Sequence, residues 1–163
     1  GHFCESGSAT ELACPAGSYQ DEFGKAVCKD CPEGFYCDAT TQNDTICSHG
    51  VQNPLECPSG HFCPNGTKFA LEFPCPAGTF NNVTQLKAEA ECLPCTGGQY
   101  CETTGLTNPT GPCLEGYYCT LGAAIQNPLD NVTGSVCPPG SYCEGGSPSP
   151  TPCPAGTYTP SEG

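Results

Sequence analysis

The chain has no tryptophan, no methionine and no arginine, and its isoleucines are Ile46 and Ile125 alone. A chain of 163 residues so poor in large apolar side chains cannot bury an ordinary core. Covalent links have to replace one. Four lysines, Lys25, Lys29, Lys68 and Lys87, face 17 acids, for a net charge of −13. Without a basic face the chain has no means of binding nucleic acid, and anionic membrane surfaces repel it. The acids are scattered, as on a solvated surface, and match no calcium-loop pattern. No apolar run approaches the ~20 residues that cross a membrane, and no leader of the secretory type is present.

What the chain does have is 17 cysteines, 21 glycines and 18 prolines. That many cysteines indicate an oxidising compartment, secreted or on the cell surface. Secretion needs a leader, so the reading is of a piece of a longer chain. Gly1 begins inside a motif and Cys153-PAGTY stops before the cysteine that should follow.

The cysteines recur in a motif, C-P-x-G-x-(Y/F), often closed by a second Cys. It is complete at Cys31–Cys37, Cys57–Cys63 and Cys137–Cys143, and degenerate at Cys95–Cys101 and Cys113–Cys119. Copies starting at Cys14, Cys75 and Cys153 lack the closing Cys, and Gly1-His2-Phe3-Cys4 is the tail of another. Pro at the second position suits i+1 of a type I turn, and the Gly suits i+3. Such a turn brings Cys n and Cys n+6 within disulfide range. It predicts closure at Cys31–Cys37, Cys57–Cys63, Cys95–Cys101, Cys113–Cys119 and Cys137–Cys143. A staggered ladder, such as Cys31–Cys47 with Cys37–Cys57, is the open alternative. Under local closure Cys4, Cys47 and Cys153 are left over, as free thiols or links between chains. In the alternative, Cys47 closes onto Cys37 or Cys57. The aromatic of each copy is placed to cover a neighbouring disulfide.

Two C-x2-C steps, Cys28 to Cys31 and Cys92 to Cys95, have zinc-ribbon spacing. The surrounding cysteines are too many and too regular for that, and no cofactor or metal is expected. His2, His49 and His61 are the histidines; His2 and His61 share one variable slot of the motif, a scaffold position. With no paired carboxylates and no nucleophile signature, no enzyme is expected.

The order of spacings restarts at Cys75. The domain reading is residues 1–13 as the tail of a truncated repeat, 14–74 and 75–152 as two super-repeats, and 153–163 as the start of a further one. Spacers rich in Gly, Pro, Thr and Asn sustain no helix beyond a turn near Leu86–Glu91. The predicted fold is a small disulfide-rich repeat array of short β-hairpins and turns, stacked as an elongated rod or solenoid.

The pattern CPAGTF…C-x2-C…GxYC resembles the cysteine-rich repeats of the ephrin-receptor-like type, relatives of the tumour-necrosis-factor-receptor and EGF-like modules. The resemblance covers nearly the whole chain. It implies a stalk-like or fibrous extracellular element and a first-loop pairing of Cys14 with Cys28 and of Cys75 with Cys92. The spacers vary in length, so no ligand-binding residue is carried over. Two functions are expected from it: a structural glycoprotein that self-associates into a filament, or a receptor ectodomain that binds a protein ligand.

Asn43, Asn65, Asn82 and Asn131 each head an N-x-T sequon, so covalent glycans are expected there. The hexapeptide Ser147-Pro148-Ser149-Pro150-Thr151-Pro152 alternates hydroxyl residues with proline. It favours polyproline II with all side chains exposed, as a stiff spacer or as a site of O-glycosylation.

Overall fold

A computed structural model describes residues 1–4, 10–39 and 50–161. Most motif copies build the same object. The residues after the Gly form a strand of two or three residues, and that strand pairs antiparallel with the residues just before the next Cys.

The described residues form two compact bodies. The first comprises Gly1–Pro74 and Val83–Glu91. In it β1 (His2–Phe3) pairs with β2 (Leu12–Ala13), β3 (Ser18–Tyr19) with β4 (Lys29–Asp30), and β5 (Phe35–Tyr36) with β6 (Leu55–Glu56). A fourth hairpin is reduced to one antiparallel bridge between His61 and Pro74. The expected helical turn is a 3₁₀ turn over Glu89–Glu91. The second body comprises Cys75–Asn82 and Cys92–Gly163. In it β7 (Thr79–Phe80) pairs with β8 (Leu93–Pro94), and β9 (Gln99–Tyr100) with β10 (Gly111–Pro112). The remaining pairs are β11 (Tyr117–Cys119) with β12 (Gly134–Val136) and β13 (Ser141–Tyr142) with β14 (Thr151–Pro152). All these sheets have two strands, so every strand is an edge. That is why Pro94, Pro112 and Pro152 are tolerated within β8, β10 and β14.

The motif turn lies one residue later than its sequence suggests. The Ser18 amide donates to the Pro15 carbonyl at 3.1 Å, which puts Pro at position i and Gly17, with φ +87°, at i+2. Thr79 to Pro76 and Thr157 to Pro154 repeat the bond at 3.1 and 3.0 Å. The expected type I turn, with Pro at i+1, is therefore corrected: positive φ at i+2 is the type II signature. The glycine is required there for its φ, whereas the proline merely lacks an N–H that the turn has no use for.

Consecutive units within a body are joined through that glycine. The Gly17 amide donates to the Cys37 carbonyl, and the Gly17 carbonyl accepts from the Cys31 amide, both at 2.9 Å. Gly34 does the same with Cys63 and Cys57, Gly98 with Cys119 and Cys113, and Gly116 with Cys143 and Cys137. Gly1 accepts from Cys14 in the same way. A second bond runs from six of the units. The amide of the residue six after the first Cys donates to a carbonyl just beyond the next motif: Cys37 to Thr67, Cys63 to Leu86, Cys101 to Ala123, Cys119 to Ser147. Gln20 donates to Val51 and Asn81 to Leu106. With so few strands, this ladder is where much of the backbone finds its partners.

The core is correspondingly thin and is mostly sulfur. The disulfides are Cys14–Cys28, Cys31–Cys37, Cys57–Cys63, Cys75–Cys92, Cys95–Cys101, Cys113–Cys119 and Cys137–Cys143. The ladder of Cys31–Cys47 with Cys37–Cys57 is thus excluded, because the six-residue loops draw each of those cysteines to its own motif partner. Val51 is fully buried against Cys31 and Cys37, with Tyr19 and Phe35 packed around them. Ala123 is buried against Cys113 and Cys119, with Tyr100 packed alongside. Tyr19 and Tyr100 therefore cover the disulfide of the following unit rather than their own. The result is a small disulfide-rich fold.

Candidate functional site

The functional candidates lie in the loops between cysteines. The Cys14–Cys28 loop is the most elaborated. Its unit lacks a closing Cys, and Gln20 stands in that place. The Gln20 side-chain amide donates to the Val27 carbonyl at 2.6 Å, and its oxygen accepts from the Glu22 amide at 3.0 Å. This gathers the loop from inside. On its outer side Lys29 Nζ reaches Asp21 at 2.7 Å and Glu22 at 2.9 Å, and Lys25 reaches Glu22 at 2.8 Å. The two lysines hold the Glu22 carboxyl well below its ordinary value, at about 2, chiefly through hydrogen bonds. The bond from Lys29 also lowers the Asp21 carboxyl, and the two acids raise the Lys29 ammonium. Phe23 projects from the tip, 98% exposed. Four charges cancel around an exposed aromatic, on a chain that is otherwise strongly acidic.

The sequons differ in their surroundings. Asn65, Asn82 and Asn131 are exposed; Asn43 lies outside the described residues. Thr67 is buried, with its hydroxyl donating to the Pro64 carbonyl at 2.6 Å. Asn131 adopts φ +57°, a conformation Asn tolerates, in a turn organised by Asp130. The Asp130 carboxylate accepts from the Thr133 hydroxyl at 2.7 Å and from the Val132 and Thr133 amides at 2.8 and 2.7 Å. These bonds, the hydroxyl's first, lower the Asp130 pKa.

The Ser147–Pro152 stretch is less open than its composition predicts. Pro148, Ser149, Thr151 and Pro152 are exposed, but Ser147 and Pro150 are half-buried. Ser147 donates its hydroxyl to the Glu144 carbonyl at 2.7 Å, and its carbonyl accepts from the Cys119 amide. Thr151 and Pro152 belong to β14. Part of the segment is therefore framework.

Cys4 is an exposed free thiol and Cys153 a half-buried one. Cys47 and His49 lie outside the described residues. His2 sits in β1; His61 Nδ1 lies 3.4 Å from the Ser59 carbonyl. Among the described residues no cluster of His, Cys, Asp or Glu is arranged to hold a metal ion. No helix of the described residues is long and apolar enough to cross a membrane.

Sequence reasoning missed the carbonyl acceptors beyond each motif and the Phe23 tip. The first had a signal. A Gly-X pair follows each motif: Gly50-Val51, Gly66-Thr67, Gly105-Leu106, Gly122-Ala123 and Gly146-Ser147. Gln85-Leu86 is the exception, and Gln85 takes the left-handed φ, +68°, that Gly66, Gly105, Gly122 and Gly146 take elsewhere.

Residues 1–47 match the family model described as tyrosine-protein kinase ephrin type A/B receptor-like. The chain is 33% identical, over 65% of its length, to the sushi, von Willebrand factor type A, EGF and pentraxin domain-containing protein 1 of Rattus norvegicus. It is 27% identical, over 66% of its length, to the signal peptide, CUB and EGF-like domain-containing protein 2 of Danio rerio. A third similarity, 35% identity over 49% of the chain, is to thyroglobulin of Mus musculus. The matches cover 3%, 10% and 2% of those proteins, so the chain spans a tenth or less of each. Together with seven disulfides among the described residues they make this chain a cysteine-rich repeat protein of the extracellular space.

Proposed function

We propose that this extracellular cysteine-rich array is a structural element, a segment of a glycosylated, disulfide-braced rod or filament rather than an enzyme. The supporting observation is the inter-unit ladder. Gly17, Gly34, Gly78, Gly98, Gly116 and Gly140 each use both backbone groups on the chain that follows, and carbonyls at equivalent positions recur as acceptors. An element whose backbone chemistry goes into joining similar units serves to extend. Self-association follows head to tail, because a heterologous contact that does not close builds a fibre. The acidic surface and glycans on the sequons keep neighbouring filaments apart and hydrated. Cys47 supplies a link between chains. No cofactor takes part. Electron microscopy of native material tests this: filaments support it, and isolated particles at every concentration contradict it.

The second reading is a receptor ectodomain that binds a protein ligand. The Phe23 tip favours it, since an exposed aromatic ringed by compensated charges suits protein recognition. Loss of ligand binding in Phe23→Ala would separate this reading from the first.

A further inference from the structure

The sequon Asn65-Gly66-Thr67 is divided by the fold. Asn65 faces solvent, while Thr67 is 2% exposed. Thr67 lies in a turn that the chain uses repeatedly. Pro15–Ser18, Pro76–Thr79 and Pro154–Thr157 each close with a Ser or Thr hydroxyl donating to the Pro carbonyl three residues back. Pro64–Thr67 is the same turn, and Asn65 occupies the outward position that Ala16, Ala77 and Ala155 fill in the others. The sequon backbone is also committed to the preceding unit. Gly66 donates to the Cys31 carbonyl at 2.8 Å, and the Thr67 carbonyl accepts from the Cys37 amide at 3.0 Å. A side chain's first carbon placed on Gly17 would lie 2.5 Å from the Gly66 carbonyl oxygen, which shows how closely the segment is pressed down.

An acceptor sequon must offer its Asn amide and its hydroxyl together, because the transferase reads both. Asn131 meets this condition in the folded chain. Val132 is 77% exposed, and the Thr133 hydroxyl is held by an exposed side chain, the Asp130 carboxylate, although the sequon backbone is itself bonded to Thr120 and Gly134.

We propose that Asn65 accepts an N-glycan only before its unit folds, and that capture of Thr67 by the turn retires the site, whereas Asn131 stays addressable on the folded surface. This rests on the glycoprotein reading above. In the transfer the Asn amide nitrogen bonds to the anomeric carbon of a lipid-pyrophosphate-linked oligosaccharide. The bond from that carbon to the pyrophosphate oxygen breaks, lipid pyrophosphate leaves, and the amide proton passes to solvent. Occupancy at Asn65 then records how long the unit stays open.

The test uses the unglycosylated chain, oxidatively folded, and a portion of it reduced and alkylated. Each is treated with purified oligosaccharyltransferase and a lipid-linked oligosaccharide, and occupancy is read site by site by mass spectrometry. Asn131 is expected to be modified in both. Asn65 is expected to be modified in the alkylated chain and on the order of tenfold or more less in the folded one, where modification needs local opening. Equal modification of Asn65 in the two samples overturns the inference alone, as does an Asn131 blocked by folding. An Asn65 left unmodified even when alkylated removes the glycan reading of that sequon, and the inference with it.

Discussion

The Gly34 amide donates to the carbonyl of Cys63, in the unit that follows, at 2.8 Å. That bond places the Gly34 α-carbon against the chain beyond Cys63, and a side chain's first carbon there would lie 2.7 Å from the Gln85 carbonyl oxygen. Gly34→Ala therefore meets two obstacles, a backbone clash and a left-handed φ of +82°. Gly140 has a φ of +79° with no atom within 4 Å of the same point. Gly140→Ala is expected to cost only the conformational term, about 1–2 kcal/mol. Gly34→Ala should cost clearly more. Denaturant unfolding of both variants, disulfides intact, measures the difference; equal losses would contradict the close stacking.

The disulfide frame makes a second prediction. Closing loops of 6 residues stabilises by about 2 kcal/mol on the chain-entropy estimate, and closing loops of 14 or 17 by about 3 kcal/mol. Replacing Cys14 and Cys28 together by Ser should then destabilise more than replacing Cys31 and Cys37. Partial reduction and peptide mapping checks the connectivity itself: a peptide joining Cys31 to Cys37 is expected, and one joining Cys31 to Cys47 would exclude it.

Val51 is the apolar plug over the Cys31–Cys37 bridge. Burial of a Val side chain is worth about 1.5–3 kcal/mol. Val51→Ala is expected to lose about 2 kcal/mol, since the bridge and Tyr19 cannot close over the gap. Thermal unfolding compared with Val132→Ala, a change at a 77% exposed valine, gives the control.

The Cys14–Cys28 loop should resist acid. The Glu22 carboxyl is depressed from 4.5 to about 2 by Lys25 and Lys29. A depressed carboxylate contributes fully above its unfolded value, and that contribution fades as pH falls through the folded one. The clasp is thus expected to hold through pH 4 and to loosen only near pH 2. Carbon NMR titration of the Glu22 side chain reads the midpoint directly; a midpoint near 4.5 would mean that the ion cluster does not form.

Much of this was legible because the repeat is local. Cys n and Cys n+6 are brought together by a turn that Pro and Gly announce, so the six-residue bridges follow from spacing. The hairpins follow from the aromatic after each Gly. What spacing did not reveal was the frame of the turn: the C-P-x-G string fits both registers, and only the Ser18-to-Pro15 bond decides between them. The ladder of Cys37 to Thr67 and Gln20 to Val51 was hidden for another reason. It joins a motif to the loop beyond the next one, and those loops differ in length, so the Gly-X pairs do not align by eye. Gln85 hides the pattern further, being a non-glycine in a glycine's conformation. The Phe23 tip had no pattern behind it, because one exposed aromatic has no period.

The central claim is that these units extend by joining to one another. Sedimentation velocity of the intact native protein under non-reducing conditions, across a wide concentration range, tests it most directly. The account predicts mass-heterogeneous, concentration-dependent assemblies that persist without reductant. A single monomeric species at every concentration would contradict it and leave the receptor reading in its place.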